Sequence, residues 1–181
     1  KIVYERNVVT MNIESKTDNI KEVNKIIEKY MRIAIEEAQI AKNNGENPFG
    51  AVLLDPEYNF CYKAHTRSVE LSDPTAHAEV LVIREYCQED KKVYLKDYII
   101  ICSGEPCVMC SEAIKWAKIQ QIYYSVPQSE INKSSGGKIK PSCESLINTG
   151  TSQRHIVGNI LLNEGLKVFN DFEFILQDKH K

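Results

Sequence analysis

Long apolar runs are missing from this sequence, and nothing approaches the ~18 consecutive apolar residues of a membrane-spanning helix. A membrane partner is therefore not expected. Six cysteines in 181 residues are too sparse for a disulfide framework. Eight glycines and six prolines exclude a collagen-like or linker composition. No charge sign dominates: 23 Lys+Arg face 25 Asp+Glu, a formal net charge of -2. A domain built mainly to bind nucleic acid is usually basic, so that class starts at a disadvantage. The first twenty residues lack the apolar core of a signal peptide, which points to the cytoplasm. The chain opens on Lys1 rather than Met, which suggests a trimmed start.

What is present is the material of a single core. The chain is 43% hydrophobic and 27% charged, at a length typical of one domain. We expect residues 1–18 to be an N-terminal extension and 19–181 one catalytic domain. From Asn19 to Asn43 apolar residues recur at helical spacing, with Asp18 as cap and Gly45 beyond the end. Gly50 to Leu54 and Tyr58 to Thr66 read as strands of an antiparallel hairpin. Asp73 and Pro74 suggest the cap and first residue of a helix to Cys87, burying Ala76, Val80, Ile83 and Cys87. Tyr98 to Cys102 and Gln121 to Ser125 read as buried strands, with a helix from Cys107 to Ala117 between them. A loop at Ser134–Gly137, a short helix over Ser142–Ile147, a fifth strand from His155 to Leu161 and a last helix from Glu164 to Leu176 complete the reading. Strands alternating with helices after a hairpin argue for an α/β layered fold with a mainly parallel sheet.

Two motifs stand at the starts of the middle helices: His77-Ala78-Glu79 and Pro106-Cys107-Val108-Met109-Cys110. A CxxC alone is a weak signal, and a lone histidine is more often structural than a ligand. Together they supply one imidazole and two thiolates, a three-ligand zinc set with an open fourth position. Positive helix ends favour thiolates, and the i,i+3 spacing puts both sulfurs on one face. His77 and Glu79 share no helix face, so they converge only if the helix end points at the metal. Glu79 is then a non-ligand base beside it. A closed structural zinc site would need a fourth ligand such as Cys87, Cys102 or Cys143.

The stretches DPTAHAE at 73–79 and EPCVMC at 105–110 resemble the zinc-dependent cytidine deaminase superfamily, whose signature is H-x-E followed by P-C-x-x-C. The likeness runs from Tyr30 to Ser125 and more weakly to Phe172. Asn47-Pro48-Phe49-Gly50-Ala51-Val52-Leu53 is similar to the guanine deaminase branch; tRNA adenosine deaminases usually carry a smaller aliphatic residue where Phe49 stands. The resemblance implies a three-layer α/β/α sandwich around a five-stranded mixed sheet, and a homodimer. It implies Zn²⁺ held by His77, Cys107 and Cys110, and hydrolytic deamination of a nucleobase or nucleoside. Zinc-bound water would attack the amino-bearing ring carbon, with Glu79 as proton shuttle and ammonia released. The Ala78 N–H, Phe49 and Glu130 become substrate contacts, although Glu130 also reads as an exposed loop carboxylate. One departure stands out: eleven residues before the histidine, where the branches carry asparagine, this chain has Thr66, preceded by His65. A hydroxyl lacks the paired donor and acceptor of an amide. Either the substrate differs, His65 substitutes, or the local match slips by one. Guanine deamination is the leading expectation; adenosine in tRNA is the alternative, disfavoured by the charge, and a non-catalytic zinc module is the third. Phe169, Phe172 and Phe174 can cover a pocket or simply pack, and Trp116 is expected in the core.

Overall fold

A computed structural model describes residues 13–135, 141–148, 153–170 and 172. Helix α1 (Ile13–Asn43) starts earlier than its apolar pattern suggests, so Asp18 lies inside it. It ends before Gly45, whose φ of 77° is left-handed. Strands β1 (Gly50–Leu54) and β2 (Phe60–His65) form the expected hairpin. Helix α2 (Ala78–Glu89) begins four residues later than the Asp73-Pro74 signal. Asp73 instead closes a local turn, accepting the Thr75 N–H at 2.8 Å and its hydroxyl at 2.6 Å. The late start turns the helix, so that Ala78, Glu79, Leu81 and Val82 are its buried residues, while Val80, Ile83 and Cys87 are only half-buried. Strand β3 (Ile99–Gly104), helix α3 (Val108–Trp116) and strand β4 (Gln121–Val126) follow. Helix α4 (Gln128–Ser135), a polar segment without apolar periodicity, had no sequence signal. Helix α5 (Cys143–Ile147), strand β5 (His155–Val157) and helix α6 (Leu162–Phe169) complete the described chain. Both β5 and α6 are shorter than expected, and Phe174 lies outside the described residues.

The five strands form one mixed sheet in the order β2-β1-β3-β4-β5. β1 is antiparallel to both β2 and β3, while β3–β4 and β4–β5 are parallel. Half the pairings are thus antiparallel, because the hairpin enters the sheet with β1 beside β3. β1 and β3 are buried along their whole length, as continuous apolar runs require at the centre of a sheet. One sheet face packs Ala51, Leu53, Ile100 and Cys102 against Ala78 and Leu81 of α2 and Ile114 of α3. The other packs Val52, Leu54, Ile99 and Ile101 against Ile27, Met31 and Ala34 of α1. The result is the helix–sheet–helix sandwich, with α5 resting on α3 and α6 beside α1. At Gly50 a Cβ would clash with the Ala34 carbonyl oxygen, so only glycine lets α1 cross β1 this closely.

Candidate active site

α2 and α3 start side by side at the same end of the sheet, and each begins on a candidate ligand. His77 is the N-cap of α2 (φ -75°, ψ 152°) and Cys107 the N-cap of α3 (φ -68°, ψ 175°). Neither side chain caps its own helix, which frees both to turn toward each other. Cys110 follows in the first turn of α3, fully buried. The His77 Nδ1 lies 3.7 Å from the Cys107 Sγ and 3.5 Å from the Cys110 Sγ. All three donor atoms fall within 4.8 Å of one another, and no fourth His, Cys, Asp or Glu joins them among the described residues.

That spacing can be tested against metal geometry. Zn–S near 2.3 Å and Zn–N near 2.0–2.1 Å at tetrahedral angles give N···S edges of about 3.6 Å. The observed edges fit. An open three-donor set is also what separates a catalytic zinc site from a closed structural one. The thiols behave accordingly. The hydrogen bond from Cys110 is the main reason the Cys107 thiol is held down to about 4, with His77 adding to it. The same bond, with burial, pushes the Cys110 thiol well up.

Glu79 lies one residue into α2 from Ala78 and is 5% exposed. Its Oε2 accepts the Cys110 thiol at 3.4 Å, yet the carboxylate stays outside the mutual donor set. Burial, then the negative Cys107 nearby, pushes its carboxyl up. A carboxyl that binds its proton more tightly than usual, beside a metal set but not in it, suits proton transfer. Ala78 is the first residue of α2, where helix geometry supplies no intrahelical acceptor for its N–H.

The remaining candidates divide. Thr66 is buried at 1% exposure, its N–H bonded to the Phe49 carbonyl at 3.0 Å. The next residue, Arg67, donates its N–H to the Ala76 carbonyl, which places this turn against the residue before His77. Among the described residues, Thr66 Oγ1 is the buried side-chain oxygen or nitrogen left with no partner. His65 does not substitute for it: its Nδ1 is 2.7 Å from Glu37 Oε2 on α1, the opposite sheet face. Phe49 is half-buried, its ring 5.7 Å from that of Phe169, so the last helix does bring an aromatic to it. Phe172 follows α6 and is half-buried. Glu130 is on α4 rather than in a loop, and pairs with Lys133 at 2.7 Å. Cys102 and Cys143 are buried, while Cys87 is half-buried. Trp116 is not core: it is 77% exposed at the end of α3. Glu105, buried beside Cys107 with two backbone partners, escaped sequence reasoning, because its donors lie 23 and 38 residues away.

Residues 24–126 match the model of the cytidine and deoxycytidylate deaminase zinc-binding region. The chain belongs to this family, and it is a zinc-dependent hydrolytic deaminase with the family's mixed-sheet fold. It is 37% identical over 112 residues to the tRNA-specific adenosine deaminase of Aquifex aeolicus, covering 62% of this chain and 71% of that one. A solved structure from work on A-to-I editing by tRNA:A34 deaminases superposes with a TM-score of 0.66 at 28% identity, covering 77% of this chain and 98% of the other. The guanine deaminase of Bacillus subtilis superposes with a TM-score of 0.57 at 32% identity, covering 59% and 68%. No helix among the described residues is long and apolar enough to cross a membrane.

Proposed function

We propose that this deaminase acts on adenosine in tRNA, converting it to inosine, which reverses the preference drawn from Phe49 and the net charge. The observation that carries the reading is the 37% identity with a tRNA-specific adenosine deaminase over 112 residues. A net charge of -2 does not fix where charge sits. Lys91, Lys96 and Lys118 are exposed, and the Leu95 N–H bonds the Ala117 carbonyl at 2.7 Å, bringing their two segments together. Lys118 Nζ lies 3.7 Å from the Tyr94 ring centroid, with exposed Trp116 two residues before it. Cations interleaved with exposed aromatic rings suit a nucleic-acid backbone and its bases.

In this reading His77, Cys107 and Cys110 hold Zn²⁺, which when bound supplies Lewis acidity that makes a water a better nucleophile. Glu79 does the proton work of the chain. Its carboxylate takes a proton from the attacking water and passes it to the ring nitrogen beside the amino-bearing carbon. A second transfer through Glu79 reaches the amino group, which leaves as ammonia. The Ala78 N–H and the unpaired Thr66 hydroxyl are the polar groups we assign to orienting the base, and Phe49 its apolar wall. We further infer one catalytic domain over 19–181, a homodimer, and the cytoplasm, whose reducing conditions keep thiolate ligands available.

Guanine is the second reading, favoured by the Phe49–Phe169 ring pair and the 32% identity with a guanine deaminase structure; Glu130 is a substrate contact only there. Ammonia release from an adenosine-bearing tRNA anticodon stem-loop, guanine, guanosine, adenine and cytosine, assayed side by side, separates the two. Inosine in the stem-loop is the expected product. Turnover of guanine with the RNA untouched overturns the tRNA assignment.

A further inference from the structure

We propose that Glu105 is a positioning residue whose carboxylate clamps the first residues of α4 and α5 together and holds both helices against the metal site. The inference rests on the deaminase reading for its kinetic consequence, but its geometry stands alone. Glu105 is 7% exposed and stands two residues before Cys107. Its Oε2 accepts the Gln128 N–H at 2.8 Å, and its Oε1 accepts the Cys143 N–H at 2.7 Å. Its own N–H donates to the Val126 carbonyl at 2.8 Å. Three separate stretches of chain therefore meet at one side chain.

The residue type follows from the donors. Gln128 opens α4 and Cys143 opens α5, and the first N–H groups of a helix have no intrahelical acceptor. Two buried N–H groups from different helices need two acceptor atoms on one side chain. A carboxylate supplies both, whereas an amide supplies one and turns an NH₂ against the other donor.

What the clamp holds explains why it matters. Ile131 of α4 is buried with Val126 and Phe169 and packs on Phe49, the proposed wall of the base pocket. Cys143 of α5 is fully buried in the cluster that contains Ala78, Cys102 and Ile114, beneath α2 and α3. Pro106 joins Glu105 to Cys107, and its carbonyl accepts the Ser111 hydroxyl at 3.2 Å. Glu105 thus couples the pocket wall to the loop that carries a ligand, without touching substrate.

The test uses the full chain loaded with zinc. In Glu105→Gln, amide exchange at Gln128 and Cys143 is expected to accelerate at least tenfold. KM for the panel substrate that the wild type turns over is expected to rise at least tenfold, with kcat within threefold and one zinc per chain retained. Glu105→Asp keeps the charge but is one methylene too short to span both donors, so it is expected to resemble Glu105→Gln; wild-type behaviour of this variant overturns the clamp. So does unchanged exchange at both amides in Glu105→Gln. If Glu105→Gln does not fold, Gln128→Pro serves, because it removes one donor at the first helical position, where proline is tolerated. An unchanged KM there overturns the proposal. Amide exchange needs no substrate, so a wild type that releases no ammonia from any panel member defeats the proposed substrate assignment and leaves the exchange test of the clamp intact.

Discussion

Cys110 Sγ and Glu79 Oε2 stand 3.4 Å apart, yet Cys110 belongs to the donor set and Glu79 does not. The contact joins a proposed ligand to the proposed proton carrier across the gap between α3 and α2. It predicts different failures for the two residues.

Glu79→Gln removes proton transfer and no ligand. Zinc content and fold should match the wild type, while kcat falls about 10²–10⁴-fold, the usual contribution of a positioned acid–base group. Metal analysis together with steady-state kinetics checks this; turnover within tenfold of wild type contradicts the shuttle role.

Cys107→Ser should do the reverse and lose the metal first. Near-stoichiometric zinc is expected in the wild type and a large loss in the variant. Chelation should lower the wild-type melting temperature, since a ligand that binds only the folded state stabilises it by mass action. Equal zinc in both proteins would remove Cys107 from the ligand set.

Thr66 carries an unpaired buried hydroxyl, a group whose burial without a partner costs about 1–3 kcal/mol. Thr66→Val should therefore leave the substrate-free melting temperature unchanged or raised, while kcat/KM falls. Thr66→Asn tests specificity: kcat/KM across the base panel should rise on guanine tenfold or more only if Thr66 is an imperfect stand-in for the amide. We expect guanine turnover to stay flat and activity on the true substrate to drop.

Glu37 provides the pH test. Burial pushes its carboxyl up, but the hydrogen bonds and charges of Lys63 and His65 outweigh that and hold it below the ordinary 4.5. A depressed carboxylate contributes stability above pH 4.5 that is lost as pH falls through its folded value. Glu37→Gln should cost about 1.5–3 kcal/mol at pH 7, the scale of hydrogen bonds to a charged group. The difference from wild type should shrink below pH 4.5 in denaturant melts run as a pH series. A pH-independent difference would assign the effect to packing instead.

Gly50→Ala is expected to destabilise strongly, on the order of 3 kcal/mol, because its Cβ meets the backbone oxygen of Ala34. Thermal melting of the variant decides the point, and a shift under 2 °C would mean that α1 yields.

The linear order of residues was enough for the local and the chemical. Apolar runs such as Ile99-Ile100-Ile101 specify a buried strand wherever they lie, and an i,i+3 pair of cysteines faces one way on any helix that starts there. His77, Cys107 and Cys110 therefore read as a zinc-type donor set, with Glu79 as a non-ligand base beside it, from the sequence alone. Tertiary structure alone decided what depends on partners distant in sequence. It turned Asp73 from a helix cap into a turn closure, because His77 takes the cap position in order to face Cys107 and Cys110. It paired β1 with β3 antiparallel, moved His65 to Glu37, and left the Thr66 hydroxyl unpaired. It placed Trp116 outside the core, since helical periodicity tells which residues share a face but not which face meets the sheet. Glu105 is the clearest case: a carboxylate announces charge in the sequence, whereas the two N–H groups it holds become neighbours only when the chain folds.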